Sequence, residues 1–343
     1  MSALCLGFDV GTYNLILCAG AETGNPVYHT QVNAYLPLAN PSPSTKKTLQ
    51  SLGKPVLPIA GTENGIMLLG RDAIDMASDF GTKCQRPMKL GCVSDDQSSY
   101  PILAAMIHGM LNKVTMAKDT VLYYSKPANA ISADTNVDLH GMLLQGIFSS
   151  YPMPEGCQMR AFAMNEASAI LHSDCNNERE QKTGLAISTG AGMVNINFSR
   201  WGEPIFSFSI PNSGDYIDSS VAKATGMSEA AVNIKKVTVD ISKVPTNQFE
   251  LILKAQYELL IRSAIEKIIE GVNNSQGQAA VNTPIPLVVA GGVSGIEGFM
   301  PMFEAVFNMY RSKLKLEVSV VRRAQEGVKA IAHGLWEAAR NHG

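Results

Sequence analysis

The sequence predicts an α/β fold of two related lobes, each a mixed β-sheet flanked by helices, with a ligand cleft where the lobes meet. Three observations predict it. First, two segments far apart each run an apolar strand through a small-residue turn straight into another apolar strand: Leu4-Cys5-Leu6-Gly7-Phe8-Asp9-Val10-Gly11-Thr12-Tyr13-Asn14-Leu15-Ile16-Leu17 and Gly184-Leu185-Ala186-Ile187-Ser188-Thr189-Gly190-Ala191-Gly192-Met193-Val194-Asn195-Ile196-Asn197-Phe198. Glycines in such turns let backbone N–H donors approach an anion closely. Second, the elements after each hairpin repeat in rough outline, the mark of an internal duplication. Third, 343 residues with 45% hydrophobic and 17% charged content suffice for more than one core and exclude a disordered chain.

Taken in order, the first hairpin is followed by an extended stretch over 26–36 and a polar, proline-rich loop over 40–47, the expected tip of an inserted unit. Short strands over 56–59 and 65–69 flank the turn Gly61-Thr62-Glu63-Asn64. Apolar residues at helical spacing (Ile102, Leu103, Met106, Ile107, Met110, Leu111) predict a helix over 100–114 after the acidic pair Asp95-Asp96. A strand over 120–124 ends before Lys126-Pro127, and a helix covers 137–148. After a loop with Pro152, Pro154 and Gly156, a strand over 159–164 leads into a helix over 166–172.

The second hairpin opens the second half. The clearest helix covers 249–272, where Phe249, Ile252, Leu253, Tyr257, Leu260, Ile261, Ala264, Ile265, Ile268 and Val272 keep the i, i+3, i+4 rule. A buried strand over 286–290 breaks at Gly291-Gly292, and a strand over 316–321 precedes a last helix over 324–339. The expected division is a first lobe over 1–150, with an insertion over about 33–69 and the C-terminal segment 324–343 returning to it. The second lobe covers 151–323, with an insertion over about 213–282.

Composition excludes several function classes. A net charge of −2 does not provide the basic face that nucleic acid requires. Apolar runs are too short and interrupted for a membrane span, and Met1 sits almost on the first strand, which predicts no signal peptide and a cytoplasmic protein. The six cysteines form no CxxC pair and the six histidines no HxxxH or HExxH, so no side-chain-only metal site is expected.

With these residues in place, the chain resembles the actin superfamily of ATPases. Asp9-Val10-Gly11-Thr12-Tyr13-Asn14 is similar to the first phosphate loop of bacterial rod-shape actins of the MreB type, and Arg86-Pro87-Met88-Lys89-Leu90-Gly91-Cys92-Val93 to that group's arginine-proline-apolar-lysine stretch. Asn165-Glu166-Ala167-Ser168-Ala169-Ile170 resembles the interdomain connecting helix, and Ser213-Gly214-Asp215-Tyr216-Ile217-Asp218 the segment opening the second insertion. Ala290-Gly291-Gly292-Val293-Ser294-Gly295 resembles the adenosine loop, and Glu326-Gly327-Val328-Lys329-Ala330 the second connecting helix. The matches run in order over nearly the whole chain. They point to the bacterial cytoskeletal actins, a group that includes MamK-type and plasmid-segregating members.

The resemblance implies ATP/ADP and Mg2+ as ligands. Asp9 is the expected carboxylate beside the hydrated metal; the plain alternative is an Asx-turn residue. Gly11, Thr12, Tyr13 and Asn14 on one side and Gly190, Ala191 and Gly192 on the other would cradle the phosphates, with Gly214 and Asp215 beside them. Gly291, Gly292 and Val293 would admit the base, and Glu229, Lys235 and Lys236 lie on the helix expected over the nucleoside. Lys236 stands where relatives often carry glutamate. Ser188 stands where family members carry an aspartate, so binding should survive while hydrolysis is slow; losing one outer-shell partner costs about 10–100-fold. For the residue that positions the attacking water, Asp138, Gln145 and Glu166 all remain open, each with the alternative of an ordinary helix residue.

The leading expectation is a nucleotide-switched, filament-forming protein whose partner is a second copy of itself, stacked head to tail, with an adaptor protein linking it to cargo. The tip over 40–48 and the apolar segment over 297–309 are candidate contacts; the segment's packing into its own lobe explains those residues equally well. The alternatives are a monomeric actin-fold ATPase acting as a chaperone or reactivating factor, a small-molecule kinase, and a nucleotide-binding scaffold with little hydrolysis. The loop over 77–85 lacks an apolar pair for direct membrane contact.

Overall fold

In the computed structural model, which describes residues 3–59, 62–80, 82–130, 135–275, 277–278, 281 and 283–342, the first hairpin forms as its sequence predicts. Strand β1 (Leu4–Val10) pairs antiparallel with β2 (Asn14–Ala21), and β3 (Val27–Val32) pairs with β2. Side chains on both faces of β1 are buried, which is why it reads as a continuous apolar run rather than an alternating one.

An inserted unit follows: β4 (Tyr35–Leu38), α1 (Pro43–Ser51), β5 (Val56–Pro58), β6 (Ile66–Leu69) and α2 (Arg71–Asp79), with the strands ordered β4-β6-β5. Leu36, Leu49, Ile66, Leu68, Ala73 and Ala77 form its core. Here the sequence reading is corrected: the expected proline-rich loop is helix α1. Ser42 caps it by accepting a bond from the Thr45 N–H at 3.1 Å, and Pro43 occupies the first turn, where its missing N–H costs nothing. Gly61 of the predicted turn lies outside the described residues.

The chain continues through the short pair β7 (Met88–Lys89) and β8 (Cys92–Val93), α3 (Ser99–Leu111), β9 (Asp119–Lys126), α4 (Val137–Ser149) and β10 (Gln158–Asn165). Strands β9 and β10 extend the first sheet in parallel, giving the order β10-β9-β1-β2-β3. The sheet therefore takes in residues beyond the expected boundary at 150.

Helix α5 (Glu166–Asp174) then leads to β11 (Gly184–Thr189), β12 (Val194–Arg200) and β13 (Glu203–Ile210). Three helices follow: α6 (Gly214–Thr225), α7 (Glu229–Lys236) and the 27-residue α8 (Gln248–Asn274). The chain closes with β14 (Ile285–Ala290), α9 (Phe299–Tyr310), β15 (Val318–Arg323) and α10 (Ala330–Arg340). The second sheet is ordered β13-β12-β11-β14-β15. Both sheets thus hold three antiparallel strands followed by two parallel ones, the duplication expected from the sequence.

Each sheet has its own apolar core, and a third cluster joins them where α5 and α10 pack together. Phe299, Met302 and Phe303 are buried in the second core, so that part of the 297–309 segment faces inward. Gly334 on α10 lies directly against the Ala169 carbonyl of α5, and Gly7 of β1 against the Ala332 carbonyl of α10; either Cβ would collide with backbone. This close approach brings the C-terminal helix back onto the first sheet. Among the described residues, no helix is long and apolar enough to cross a membrane.

Candidate functional site

The β1–β2 and β11–β12 turns lie on facing walls of a cavity of about 430 Å³ between the two sheets. Each turn closes with the same bond, Gly11 N–H to the Asn14 carbonyl and Gly190 N–H to the Met193 carbonyl, both at 3.0 Å. Among the described residues, the N–H groups of Thr12, Tyr13, Ala191 and Gly192 find no protein acceptor. Backbone donors left in this state at two opposed turns suit an anion. The turns also touch: Gly91 N–H donates to Thr12 Oγ1 at 3.2 Å, and a Cβ on Gly192 would lie 2.5 Å from Gly91 N and 2.7 Å from Thr12 Oγ1.

Asp9 and Glu166 are two of the carboxylates that line this cavity. Asp9, near the end of β1, is buried and accepts from Ser125 Oγ at 3.0 Å, and burial pushes its pKa up to about 7. Glu166 opens α5, whose preceding residue Asn165 caps the helix by accepting from Ala167 and Ser168 N–H. Burial, and then the negative charge of Asp9, push Glu166 up to about 8. Its Oε2 accepts from Asn195 Nδ2 at 2.9 Å and, more weakly, from Ser188 Oγ at 3.4 Å. Two buried carboxyl groups raised in this way both ionise readily only beside a cation. Among the described residues, no three His, Cys, Asp or Glu side chains converge as a ligand set, so such a cation would be completed by water or by the bound anion.

The far end of the cavity is built on the second sheet. Gly291, at φ +99°, has the Thr189 carbonyl where a side chain would stand, whereas Gly292 and Gly295 face open space. Opposite them Lys236 Nζ lies 2.7 Å from both carboxylate oxygens of Asp218, and Asn233 Nδ2 donates to Asp218 Oδ2 at 2.8 Å. Near the two glycine turns, Arg86 makes a bidentate pair with Asp215 across the two halves, both bonds 3.0 Å, and its guanidinium sits 5.9 Å from the Tyr13 ring centre.

Of the residues expected from the sequence, Asp9, Gly11, Thr12, Tyr13, Asn14, Glu166, Ser188, Gly190, Ala191, Gly192, Gly214, Asp215, Lys236, Gly291, Gly292 and Val293 line the cavity. Four do not. Glu229 is exposed on the first turn of α7, and Lys235 lies with its ammonium 4.3 Å from the centre of the Phe249 ring. Asp138 and Gln145, seven residues apart on α4, share its solvent face; the inward face is Val137, His140, Leu144, Ile147 and Phe148. Gln145 instead accepts from the Tyr124 hydroxyl at 3.0 Å. Asp218, Asn233 and Tyr257 line the cavity without having been singled out for it. Asp218 and Asn233 carried a usable signal, each three residues from an expected site residue on its helix.

The model of one protein family, Volactin, matches residues 4–339. Among solved structures, the MamK double helical filament superposes with a TM-score of 0.72 at 14% identity, covering 99% of this chain and 100% of that one. A non-polymerising MamK mutant bound to AMPPNP gives 0.60 at 15% identity over 99% of each chain. MreB5 of Spiroplasma citri bound to ADP gives 0.65 at 14% identity, over 97% of this chain and 94% of that one. Among curated proteins, none matches the sequence. At such identities the likeness is one of fold: two lobes of the actin type.

Proposed function

The chain belongs to the Volactin family, and on that footing we propose that it is a filament-forming actin-like protein that binds ATP with Mg2+ in the cleft and hydrolyses it slowly. The observation that carries this reading is the pair of opposed glycine turns with unpartnered N–H groups, flanked by the two buried carboxyls Asp9 and Glu166. The solved structures of similar fold support it, since one is a MamK double helical filament and others hold AMPPNP or ADP.

Residues 11–13 and 190–192 would hold the phosphates through backbone donors, with the Thr12 hydroxyl adding a bond. The donor set fits a hydrated Mg2+: Asp9 and Glu166 are hard oxygen acceptors that would hold it through its water shell. When bound, the metal neutralises phosphate charge and favours attack at phosphorus. Glu166 is the residue that orients the attacking water and accepts its proton, because Asp138 and Gln145 face solvent. The base would lie against residues 291–293, with the Lys236–Asp218–Asn233 group near the sugar. Closing the lobes on the nucleotide would favour the state that stacks head to tail.

Ser188 gives a second reading its support. A hydroxyl brings no charge where relatives carry a carboxylate, which also suits a nucleotide-binding scaffold with little turnover. Sedimentation with ATP, ADP and no nucleotide, alongside phosphate release, separates the readings. A critical concentration that appears with ATP, with slow phosphate release that Ser188→Asp accelerates, is the expected result. Pellets that never form remove the filament; wild-type polymer without phosphate release leaves the scaffold.

A further inference from the structure

Asn195 occupies a position that the reaction does not explain. It lies on β12, opposite Ser188 in the β11–β12 register, and is 1% exposed. Both ends of its side-chain amide are engaged, each by a different part of the molecule. Oδ1 accepts the Ala128 backbone N–H at 3.0 Å, and Nδ2 donates to Glu166 Oε2 at 2.9 Å. A backbone N–H can only donate, so the oxygen must face Ala128 and the amide nitrogen must face Glu166.

Ala128 belongs to the segment that leaves β9 in the first sheet. That segment is pinned to β13 at the edge of the second sheet: Ser209 N–H donates to the Asn129 carbonyl at 3.0 Å, Ser209 Oγ donates to the Ala128 carbonyl, and Ala130 bridges to Ser209. Residues 128–130 therefore form a seam between the lobes, and Asn195 joins that seam to Glu166.

We infer that Asn195 is a positioning residue that ties the orientation of Glu166 to closure of the lobes, so that Glu166 is held in place only while residues 128–130 are docked on β13. The inference rests on the reading of Glu166 as the group that orients water. When the lobes part, the Asn195 carbonyl loses its donor and the amide is free to turn. Nδ2 is then no longer held in place at Glu166 Oε2, and the carboxyl group loses its fixed orientation. Ser188 cannot take over, because its bond to Glu166 is long and single. A threonine at position 195 has one hydroxyl and no second arm with which to span both partners.

The test combines ATP turnover with amide hydrogen exchange of residues 128–130, on the full chain with and without Mg-AMPPNP. Asn195→Ala should lower kcat by about 10–100-fold while KM stays within about threefold. Ser209→Ala, which touches neither Glu166 nor the cavity, should lower kcat in the same sense by about 3–10-fold. Exchange of the Ala128 amide should quicken in Asn195→Ala and, through the Asn195 amide, also in Glu166→Ala, where the seam itself is untouched. Wild-type kcat in both Asn195→Ala and Ser209→Ala, or an Ala128 amide indifferent to Glu166→Ala, overturns the inference. A wild type without turnover instead defeats the ATPase reading, and the exchange measurement then decides the role of Asn195 by itself.

Discussion

Gly192→Ala is the substitution that most directly strains the meeting of the two turns. The added methyl would sit 2.5 Å from Gly91 N and 2.7 Å from Thr12 Oγ1, roughly 1 Å short of an ordinary van der Waals contact. Gly91 and Thr12 belong to the first half and Gly192 to the second, so the clash falls between the lobes rather than within one core. Overpacking a tight contact costs about 1–3 kcal/mol. If the lobes relieve it by parting, that cost is charged to closure on ligand, and nucleotide affinity drops by about 5- to 150-fold. Gly295→Ala is the matched control: it lines the same cavity, but its Cβ meets nothing within 4 Å. Calorimetric titration with Mg-AMPPNP, paired with thermal melts of the ligand-free proteins, reads both terms. Weaker binding in Gly192→Ala with a nearly unchanged melt is the predicted pattern. Equal affinities for the two variants would refute the argument that the turns close on one ligand.

Three further outcomes follow from the geometry. Gly334→Ala would drive a methyl into the Ala169 carbonyl where α10 crosses α5, a cost of about 3 kcal/mol or more in urea unfolding, whereas Gly109→Ala on the open face of α3 should stabilise by about 0.5–1 kcal/mol; equal midpoints would contradict that packing. The Arg86–Asp215 pair is about one-third exposed at each side chain (32% and 36%), so a double-mutant cycle with Arg86→Met and Asp215→Asn should give a coupling of about 1 kcal/mol or less that shrinks in high salt. A coupling of zero at low salt would count against the clamp. Asp9 and Glu166 are both raised in the folded state, so their contribution to ligand-free stability is full below about pH 4 and is lost as pH rises through about 7 to 8. The slope reaches about 1.4 kcal/mol per pH unit for each proton held, and Glu166→Gln should flatten it; an unchanged slope in that variant would show that the pair is not the source.

The two hairpins and the long α8 were legible because their patterns are local: an apolar run, a turn glycine, a 3.6-residue repeat. Strand β13 was passed over although Phe206-Ser207-Phe208-Ser209-Ile210 alternates as a half-buried strand does; only its opening Glu203-Pro204 reads as a break, and pairing with β12 carries the strand through it. The tip helix α1 was masked by its prolines, since Pro41 and Pro43 read as loop until Ser42 is seen to cap the first turn. At the site, residues fixed by the turns themselves were found by number. Asp138 and Gln145 were misassigned although their i, i+7 spacing, opposite the apolar Val137, Leu144, Ile147 and Phe148, marks a shared solvent face; nothing in the sequence, by contrast, says that the Asn195 amide spans two lobes.

A structure of the protein crystallised with Mg2+ and AMPPNP measures the central claim most directly. The expected density shows phosphates between residues 11–13 and 190–192, the metal's water shell against Asp9 and Glu166, and the base at residues 291–293. A cleft without nucleotide at saturating ligand, or phosphates bound away from both turns, would contradict it.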